Sequence, residues 1–216
     1  SEKSFEHIVD SLLSSPRFGE RWGRHWLDVA RYADTTGGGR NNPFPNAHRY
    51  RDYVINSFNE DKPFDQFIME QIAGDLMPSS ADEEYNEKLT GTGFLALGPH
   101  NYELQDKELL RMEVVDEQLS AVGKAFMGLT LDCARCHDHP FDPIPIQDYY
   151  SLAGIFRSTN SLVPGSVAGF HERELRDKFG EKRKQYSKTL ASLEKSLKDA
   201  LNAVQSIQSD KSKIIV

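Results

Sequence analysis

The chain's two cysteines lie close together, and a histidine directly follows the second. Cys133, Cys136 and His137 form a Cys-x-x-Cys-His motif. At this spacing two thiols can add to the vinyl groups of a haem while the neighbouring imidazole takes an axial position on the iron. The motif therefore predicts one covalently attached haem c, with both cysteines as attachment points and His137 as the proximal iron ligand.

Three other interpretations of these thiols stay open. The pair could form a disulfide or act as a redox dithiol, although a thioredoxin-like motif opens a helix after a strand, and the residues before Cys133 have a helical pattern. The thiols could hold zinc with His137 or His139, but a closed zinc site needs a fourth ligand and the chain has no second cysteine pair. They could also be buried and inert.

The sixth position of a haem iron could be filled from elsewhere in the chain. A second imidazole or a thioether would give a six-coordinate, electron-transferring iron, so His25 and Met127 are candidate distal ligands. His25 lies in a predicted helix at 19–33, within an aromatic stripe that also fits a core helix with a packed histidine. The stripe consists of Trp22, His25, Trp26, Val29 and Tyr32. Met127 would need a sharp fold of the chain to reach the opposite haem face.

An open sixth site would instead suit a haem oxidoreductase that binds peroxide, oxygen or a substrate. Arg31, Asp34, His48 and the glycine-rich loop around Gly37–Gly39 could line its distal pocket and assist proton transfer. The same charged residues also fit a structural ion-pair network.

A small cluster of acids and imidazole follows the motif. Asp138, His139 and Asp142 could bind a divalent cation. Aspartates beside prolines also cap turns, and this interpretation needs no second metal.

Helical periodicity dominates the elements that must position these residues, and no alternating strand pattern is present. We predict an all-α fold, an irregular helical domain with long loops at 1–165. A long amphipathic helix at 104–131 delivers the chain to Cys133, and residues 79–87 form a solvated connection. After the motif, Pro140, Pro143 and Pro145 predict a stiff extended path without a helix. Residues 158–170 are a predicted loop.

The composition changes to charged and polar residues at 171–216. Apolar residues recur there at a/d spacing, which predicts a coiled-coil arm that needs a partner helix in this chain or another. These residues are Leu190, Leu193, Leu197, Ala200, Val204 and Ile207. Because the end at Ile214–Val216 is apolar, we expect the arm to lead into a further C-terminal region.

The overall composition argues against two classes of protein. A net charge of −7 disfavours a nucleic-acid binder, because phosphate recognition normally needs a basic face. No apolar run is long enough for a transmembrane segment.

Several separated blocks together resemble one family. They are Ser15–Asp34, Tyr50–Ile55, Asp61–Phe67, Gly74–Leu76, Cys133–Pro143 and Asp148–Tyr150. They are similar to the domain of unknown function found in large planctomycete cytochrome-like proteins, over about residues 4–160. Pro140 departs from the family, which more often has lysine there. The resemblance implies secretion to the periplasm or the exterior, and association with an electron-transfer protein or a cytochrome module of the same polypeptide.

The leading hypothesis is therefore a c-type haem domain that transfers single electrons. The haem-dependent oxidoreductase is one alternative. The other is a non-redox binding module at the cell surface with a disulfide or zinc staple.

Overall fold

The computed structural model describes residues 2–39, 41–159, 173–176 and 180–212. Regular structure in these ranges is helical and contains no strand, so the predicted all-α class is confirmed. The α-helices there are α1 (Glu2–Leu13), α2 (Arg17–Val29), α3 (Ala47–Asn59), α4 (Phe64–Ala73), α5 (Asp82–Gly91), α6 (Lys107–Val122), α7 (Ile146–Ser158) and α8 (Gly180–Ser212).

The chain divides into two compact units, Ser1–Leu175 and Arg176–Val216. The first contains α1–α7 and the second contains α8. The predicted boundary at 165–171, most of the predicted loop at 158–170 and the apolar end at 214–216 lie outside the described residues. Across the ranges that are described, no helix is both long and apolar enough to cross a lipid bilayer.

An aromatic cluster closed by hydrogen bonds joins α2, α3 and α4. Trp26 donates its indole N–H to the Tyr50 hydroxyl and to Oε1 of Gln71, each at 3.0 Å. The ring centroid of Phe67 lies 4.9 Å from that of Trp26. All four side chains are buried, so their polar atoms need partners inside the core. This network fixes the three helices relative to one another.

Small residues determine which face of α2 packs against α3. A Cβ atom at Gly19 would lie 2.3 Å from the carbonyl oxygen of Ile55, a distance that only glycine permits. The Gly19 N–H also donates to the Asn59 side chain at 2.8 Å. The buried positions of α2 are Gly19, Gly23 and Trp26.

The prediction that the aromatic stripe of α2 faces the core is therefore wrong in part. Trp26 is buried, but Trp22 is 51% exposed and Val29 is 43% exposed. His25 is exposed as well and is not the packed core histidine that the pattern suggested.

Residues 79–87 are not the solvated connection that their polarity suggested, because α5 begins at Asp82. Three acidic residues in its first turn complement the partial positive charge of a helix N-terminus. These residues are Asp82, Glu83 and Glu84. The buried Lys88 ammonium donates to the Pro78 carbonyl and the Glu84 carboxylate, each at 2.6 Å. The polar residues of this segment thus form a helix, which the acids of its first turn and the Lys88–Glu84 ion pair stabilise.

The predicted helix at 104–131 starts later and ends earlier than its periodicity indicated. The α6 helix starts after Asp106, whose carboxylate accepts the Leu109 N–H at 3.0 Å. It ends at Val122, and a π turn at Gly123–Met127 and a left-handed Gly128 (φ 66°) follow. A Cβ atom at Gly123 would lie 2.8 Å from Cγ of Leu131, so the chain folds closely back on itself here. This return brings the cysteine motif against α6.

The α8 helix confirms that the C-terminal region is helical. Its described apolar residues, Leu190, Leu193, Leu197, Leu201 and Val204, are exposed. The pairing of α8 with another helix stays a prediction.

Substitution of Gly74 should test the close contact of α4 with α5. A Cβ atom there would lie 2.0 Å from the Lys88 carbonyl oxygen, so Gly74→Ala should lower the free energy of unfolding by about 2–3 kcal/mol. Gly154 lies on exposed α7 surface with nothing within 4 Å of a Cβ atom. Gly154→Ala should therefore be neutral or raise stability by up to about 1 kcal/mol. Urea unfolding of both variants measures the difference, and equal effects would contradict the packing.

Candidate functional site

The two cysteines lie on a single short turn at the surface. The turn is a 3₁₀ helix, Leu131–Arg135, and the Cys136 N–H donates to the Cys133 carbonyl at 3.4 Å. Both thiols are free and exposed. The interpretation as buried, inert thiols is therefore wrong, and both sulfur atoms are accessible from solvent.

The residues between and beside the cysteines hold this turn in place. Leu131 and Ala134 are buried, and Ala134 packs in a cluster with Tyr149 of α7. Arg135 pairs with Asp116 of α6, with its Nη1 atom 2.6 Å from Oδ2. The Tyr149 hydroxyl donates to the other oxygen of the same carboxylate. Because Ala134 and Arg135, the two residues between the cysteines, are held by these contacts, the cysteines face outward on a fixed backbone.

His137 is exposed, and one of its ring nitrogens is held by the backbone. Its Nδ1 atom lies 2.7 Å from the Asp138 carbonyl oxygen. Since a carbonyl can only accept, Nδ1 carries a proton, which leaves Nε2 as the ring nitrogen that can offer a lone pair. Asp138 is itself fixed, because its carboxylate accepts the Ile146 N–H at 2.8 Å where α7 begins. A carbonyl acceptor on the far ring nitrogen is the usual way to orient a metal-binding histidine.

His139 closes the proline loop rather than binding a ligand. Its Nδ1 atom accepts the Asp142 N–H at 2.8 Å, and Nε2 lies 3.3 Å from the Thr130 hydroxyl. Its backbone N–H donates to the Ile144 carbonyl at 2.9 Å. The segment after the motif is non-helical as predicted, but it is a tight loop and not the extended path that its prolines suggested.

No convergent metal site accompanies these residues. In the described ranges no three histidine, cysteine or carboxylate side chains are grouped so that they could hold an ion. Asp138 and His139 instead make the hydrogen bonds of a capped turn.

The two distal-ligand candidates have no contact with the motif among the hydrogen bonds and ring contacts of the described residues. His25 is exposed, with its ring centroid 5.5 Å from that of Trp22. Met127 is 52% exposed at the end of the π turn. Neither is packed into the core, so both side chains remain open to solvent.

The three residues suggested for a distal pocket have local structural partners. Arg31 lies in the left-handed region (φ 56°) and donates to the Leu97 carbonyl at 2.7 Å. Asp34 accepts the Tyr32 hydroxyl at 2.7 Å. His48 is exposed, with Nδ1 3.1 Å from the Pro45 carbonyl. Among the hydrogen bonds and ion pairs of the described residues, none joins one of these three side chains to another.

An open cleft with a volume of about 370 Å³ lies beside the motif. This cleft was not predicted from the sequence. It is lined by Pro99, His100, Asn101, Leu110, Glu113, Asp116, Glu117, Ser120 and Asp132. Glu117 accepts from Arg31 Nη2 at 2.9 Å, and burial raises its pKa while the guanidinium opposes that shift. Burial and the same guanidinium lower the pKa of His100 to about 4. No local signal marks these residues, because Arg31 and Glu117 are 86 positions apart.

One protein-family model matches the helical unit that contains α1–α7. The model named PSCyt2, described as a protein of unknown function (DUF1549), matches residues 1–161. The chain belongs to the PSCyt2 family. No curated protein matches the chain, and no solved structure does. The PSCyt2 match covers the whole Cys-x-x-Cys-His motif and α1–α7, but it says nothing about haem, so the cytochrome-like character stays a prediction.

Removing the Asp116 carboxylate should loosen the motif. Asp116→Ala leaves the buried Tyr149 hydroxyl and the Arg135 guanidinium without this acceptor, which should cost about 1–3 kcal/mol of stability. Hydrogen exchange at the Cys136 amide should also become faster. Glu113→Ala is the matched control, because this exposed acid lies on the same helix and lines the same cleft. Equal exchange rates in the two variants would refute the anchoring role of Asp116.

Burial of His100 should make stability depend on pH. In the unfolded chain this imidazole takes up a proton near its ordinary pKa of 6.5, whereas in the folded chain it does so only near a pKa of about 4. Between these values the unfolded state binds more protons, so stability falls as pH falls. From pH 6.5 to pH 5 the loss should be about 1.5 kcal/mol.

His100→Gln should remove that loss. Urea unfolding gives the free energy of unfolding at each pH, and the slope of this free energy against pH is compared between the two proteins. The slope is used because the substitution also changes the free energy of unfolding at every pH. Between pH 7.5 and 8.5 the two proteins should have the same slope. An unchanged slope in the acidic window would contradict the prediction.

Proposed function

We propose that this PSCyt2 domain carries one covalent haem c, attached at Cys133 and Cys136 with His137 as the proximal ligand, and that it transfers single electrons. The observation that carries the proposal is the combination of two free, exposed thiols on a fixed turn with an adjacent imidazole whose Nε2 lone pair is open. When bound, the haem iron supplies a reversible one-electron change between its ferric and ferrous states.

The fixed backbone supports the attachment of two thiols at a set spacing. Ala134 is buried in the core and Arg135 is paired with Asp116, so the two residues between the cysteines are held from inside. Thioether formation at both positions needs accessible sulfur atoms and a backbone that already has the required spacing. The turn offers two accessible sulfur atoms on a held backbone, with no disulfide to reduce first, which supports the proposal.

The arrangement of donors also favours a macrocycle over a single ion. A zinc ion draws its ligands to one point at bond distances of about 2.0–2.3 Å. The described residues contain no such group, and the cysteines do not meet with His137 or His139 at one point. Thiols that attach to the edge of a haem can stand apart, while only the imidazole needs to reach the iron.

Exposed aromatic residues beside the motif offer an apolar surface. Phe141, four residues after His137, is 92% exposed, and Tyr150 is 53% exposed with its hydroxyl on the Arg135 carbonyl. Exposed aromatic side chains next to a candidate site can contact an apolar ligand bound there. A haem, whose faces are apolar, has the chemistry to cover them.

The alternatives gain less support from these contacts. A haem oxidoreductase with an open sixth site would need a polar distal pocket, whereas Arg31, Asp34 and His48 are hydrogen-bonded within their own surroundings. A binding module with a disulfide or zinc staple would need thiols that are paired or grouped with further ligands. Within the haem proposal, His25 and Met127 remain the candidates for the sixth ligand.

The proposed setting follows from the chemistry of attachment. Covalent haem attachment takes place outside the cytoplasm, so we place the domain in the periplasm or the exterior. Its redox partner would be an electron-transfer protein or a cytochrome module of the same polypeptide.

The test is a pyridine haemochrome spectrum and an intact mass for protein produced in a periplasm with working haem-attachment machinery. We expect the mass to increase by one haem and the spectrum to be of the c type. Cys133→Ala/Cys136→Ala should lose both signals. His137→Ala should lose them or change the ferric and ferrous spectra, because the proximal ligand is gone.

His48→Ala is the matched control, since this exposed histidine lies outside the motif. It should keep the wild-type mass and spectrum. Changes in the ferric spectrum of Met127→Leu or His25→Ala identify a sixth ligand, and no change in either indicates an open or water-filled site. An unmodified mass for the wild-type protein, produced in the host with haem-attachment machinery, would refute the haem proposal.

A further inference from the structure

The α8 helix carries an apolar seam that is exposed to solvent. It spans 33 residues, which corresponds to a length of about 50 Å. Leu190, Leu193, Leu197, Leu201 and Val204 are each between 52% and 61% exposed. Their spacing of three and four residues places them along one side of the helix, so the seam is continuous. An exposed stripe of this kind marks an interaction surface.

We propose that this seam pairs with the same seam of a second copy of the chain, and that the two α8 helices run antiparallel. The proposal does not depend on haem. It concerns α8 alone and makes no use of how the two units of one chain are arranged.

The sizes of the seam residues favour the antiparallel orientation. Leu190, Leu197 and Val204 occupy the a positions of a heptad, Leu193 and Ala200 occupy the d positions, and Leu201 lies beside Ala200 at an e position. In a parallel pair d faces d, so Ala200 would face Ala200 of the second copy and leave a gap. In an antiparallel pair a faces d, so Leu197 of each chain packs on Ala200 of the other. Large against small fills the seam at its centre without a cavity.

The distribution of charge favours the same orientation. In the part of α8 with described side chains, 184–198 carries Lys184, Lys188, Lys195 and Lys198 together with Glu194, four positive charges minus one, for a net charge of +3. In contrast, 199–205 carries one charge, Asp199. A parallel pair would place the lysine-rich halves beside each other. An antiparallel pair places each lysine-rich half beside the half that contains Asp199, which reduces the repulsion at low salt.

The size of the seam sets the expected strength. A strip about 10 Å wide along the full length of about 50 Å would bury roughly 1,000 Å² in the pair, and the seam from Leu190 to Val204 covers about half of that length. The interface is therefore at or below the lower limit for a specific one, so we expect a weak, reversible dimer with a dissociation constant of roughly tens to hundreds of micromolar.

The experiment is sedimentation equilibrium of the full 216-residue chain from about 1 to 200 μM. We expect a concentration-dependent monomer–dimer equilibrium. Leu197→Ser should weaken it by about a hundredfold or more, because the substitution removes two central leucines from each dimer. Lys195→Ser is the matched control on the outer face of α8 and should leave the equilibrium nearly unchanged. Because wild-type association is measured first, the test does not depend on how any variant folds.

A second apolar face provides the competing explanation. On α1, Phe5, Ile8, Leu12 and Leu13 are more than half exposed. If the dimer persists in Leu197→Ser and is lost in Leu12→Ser, association runs through α1 and the proposal is overturned. A wild-type chain that stays monomeric over the whole range also overturns it.

Orientation is measured with a spin label on Lys184→Cys in a Cys133→Ser/Cys136→Ser background. In the antiparallel pair the two labels should lie roughly 40 Å apart. In a parallel pair they should lie within about 15 Å, and that result would refute the antiparallel arrangement.

Discussion

Three consecutive side chains in the middle of α6 connect most of the first unit. Asp116 holds Arg135 of the cysteine turn, Glu117 holds Arg31 after α2, and Gln118 donates to the Leu95 carbonyl at 3.1 Å. Neighbouring residues on a helix point about 100° apart, so three in a row reach three different parts of the structure. The partners are partly or fully buried, which makes each loss costly. The position of the motif therefore depends on the same helix that holds α2 and the segment around Leu95.

This arrangement explains why charged groups gather beside the motif without forming a metal site. Asp116 is shared between Arg135 and Tyr149, and the Asp138 carboxylate caps the start of α7. A carboxylate committed to a guanidinium, a hydroxyl or a backbone N–H has fewer lone pairs for a cation. The acids thus hold the backbone, and the thiols and the His137 imidazole remain available for chemistry.

The sequence indicated the class of the fold and the spacing of the motif, but not which surfaces pack. Periodicity found α2, whereas the packing face of α2 depends on Gly19 and its contact with Ile55, 36 positions away in the chain. The α5 helix was missed because its polar residues, among them the Lys88–Glu84 ion pair and the acids of its first turn, support it without a clear apolar stripe. The break after α6 was missed because a glycine inside an amphipathic pattern does not by itself distinguish a π turn from a continuous helix. The anchor at Asp116 pairs residues far apart in sequence, which a local pattern does not reveal.

The core behind the motif is closed by protein side chains alone. Leu131, Ala134 and Tyr149 are almost completely buried, and the first unit is large enough to bury a sufficient core without a prosthetic group. A haem attached at Cys133 and Cys136, as proposed, would then lie at the surface, because both thiols are exposed. A haem at the surface stays close to water, which stabilises the more highly charged ferric state and lowers the reduction potential relative to a buried haem. If the proposed haem is attached here, burial would contribute little, and the axial ligands together with the hydrogen bond from His137 to the Asp138 carbonyl would be the main influences on its potential.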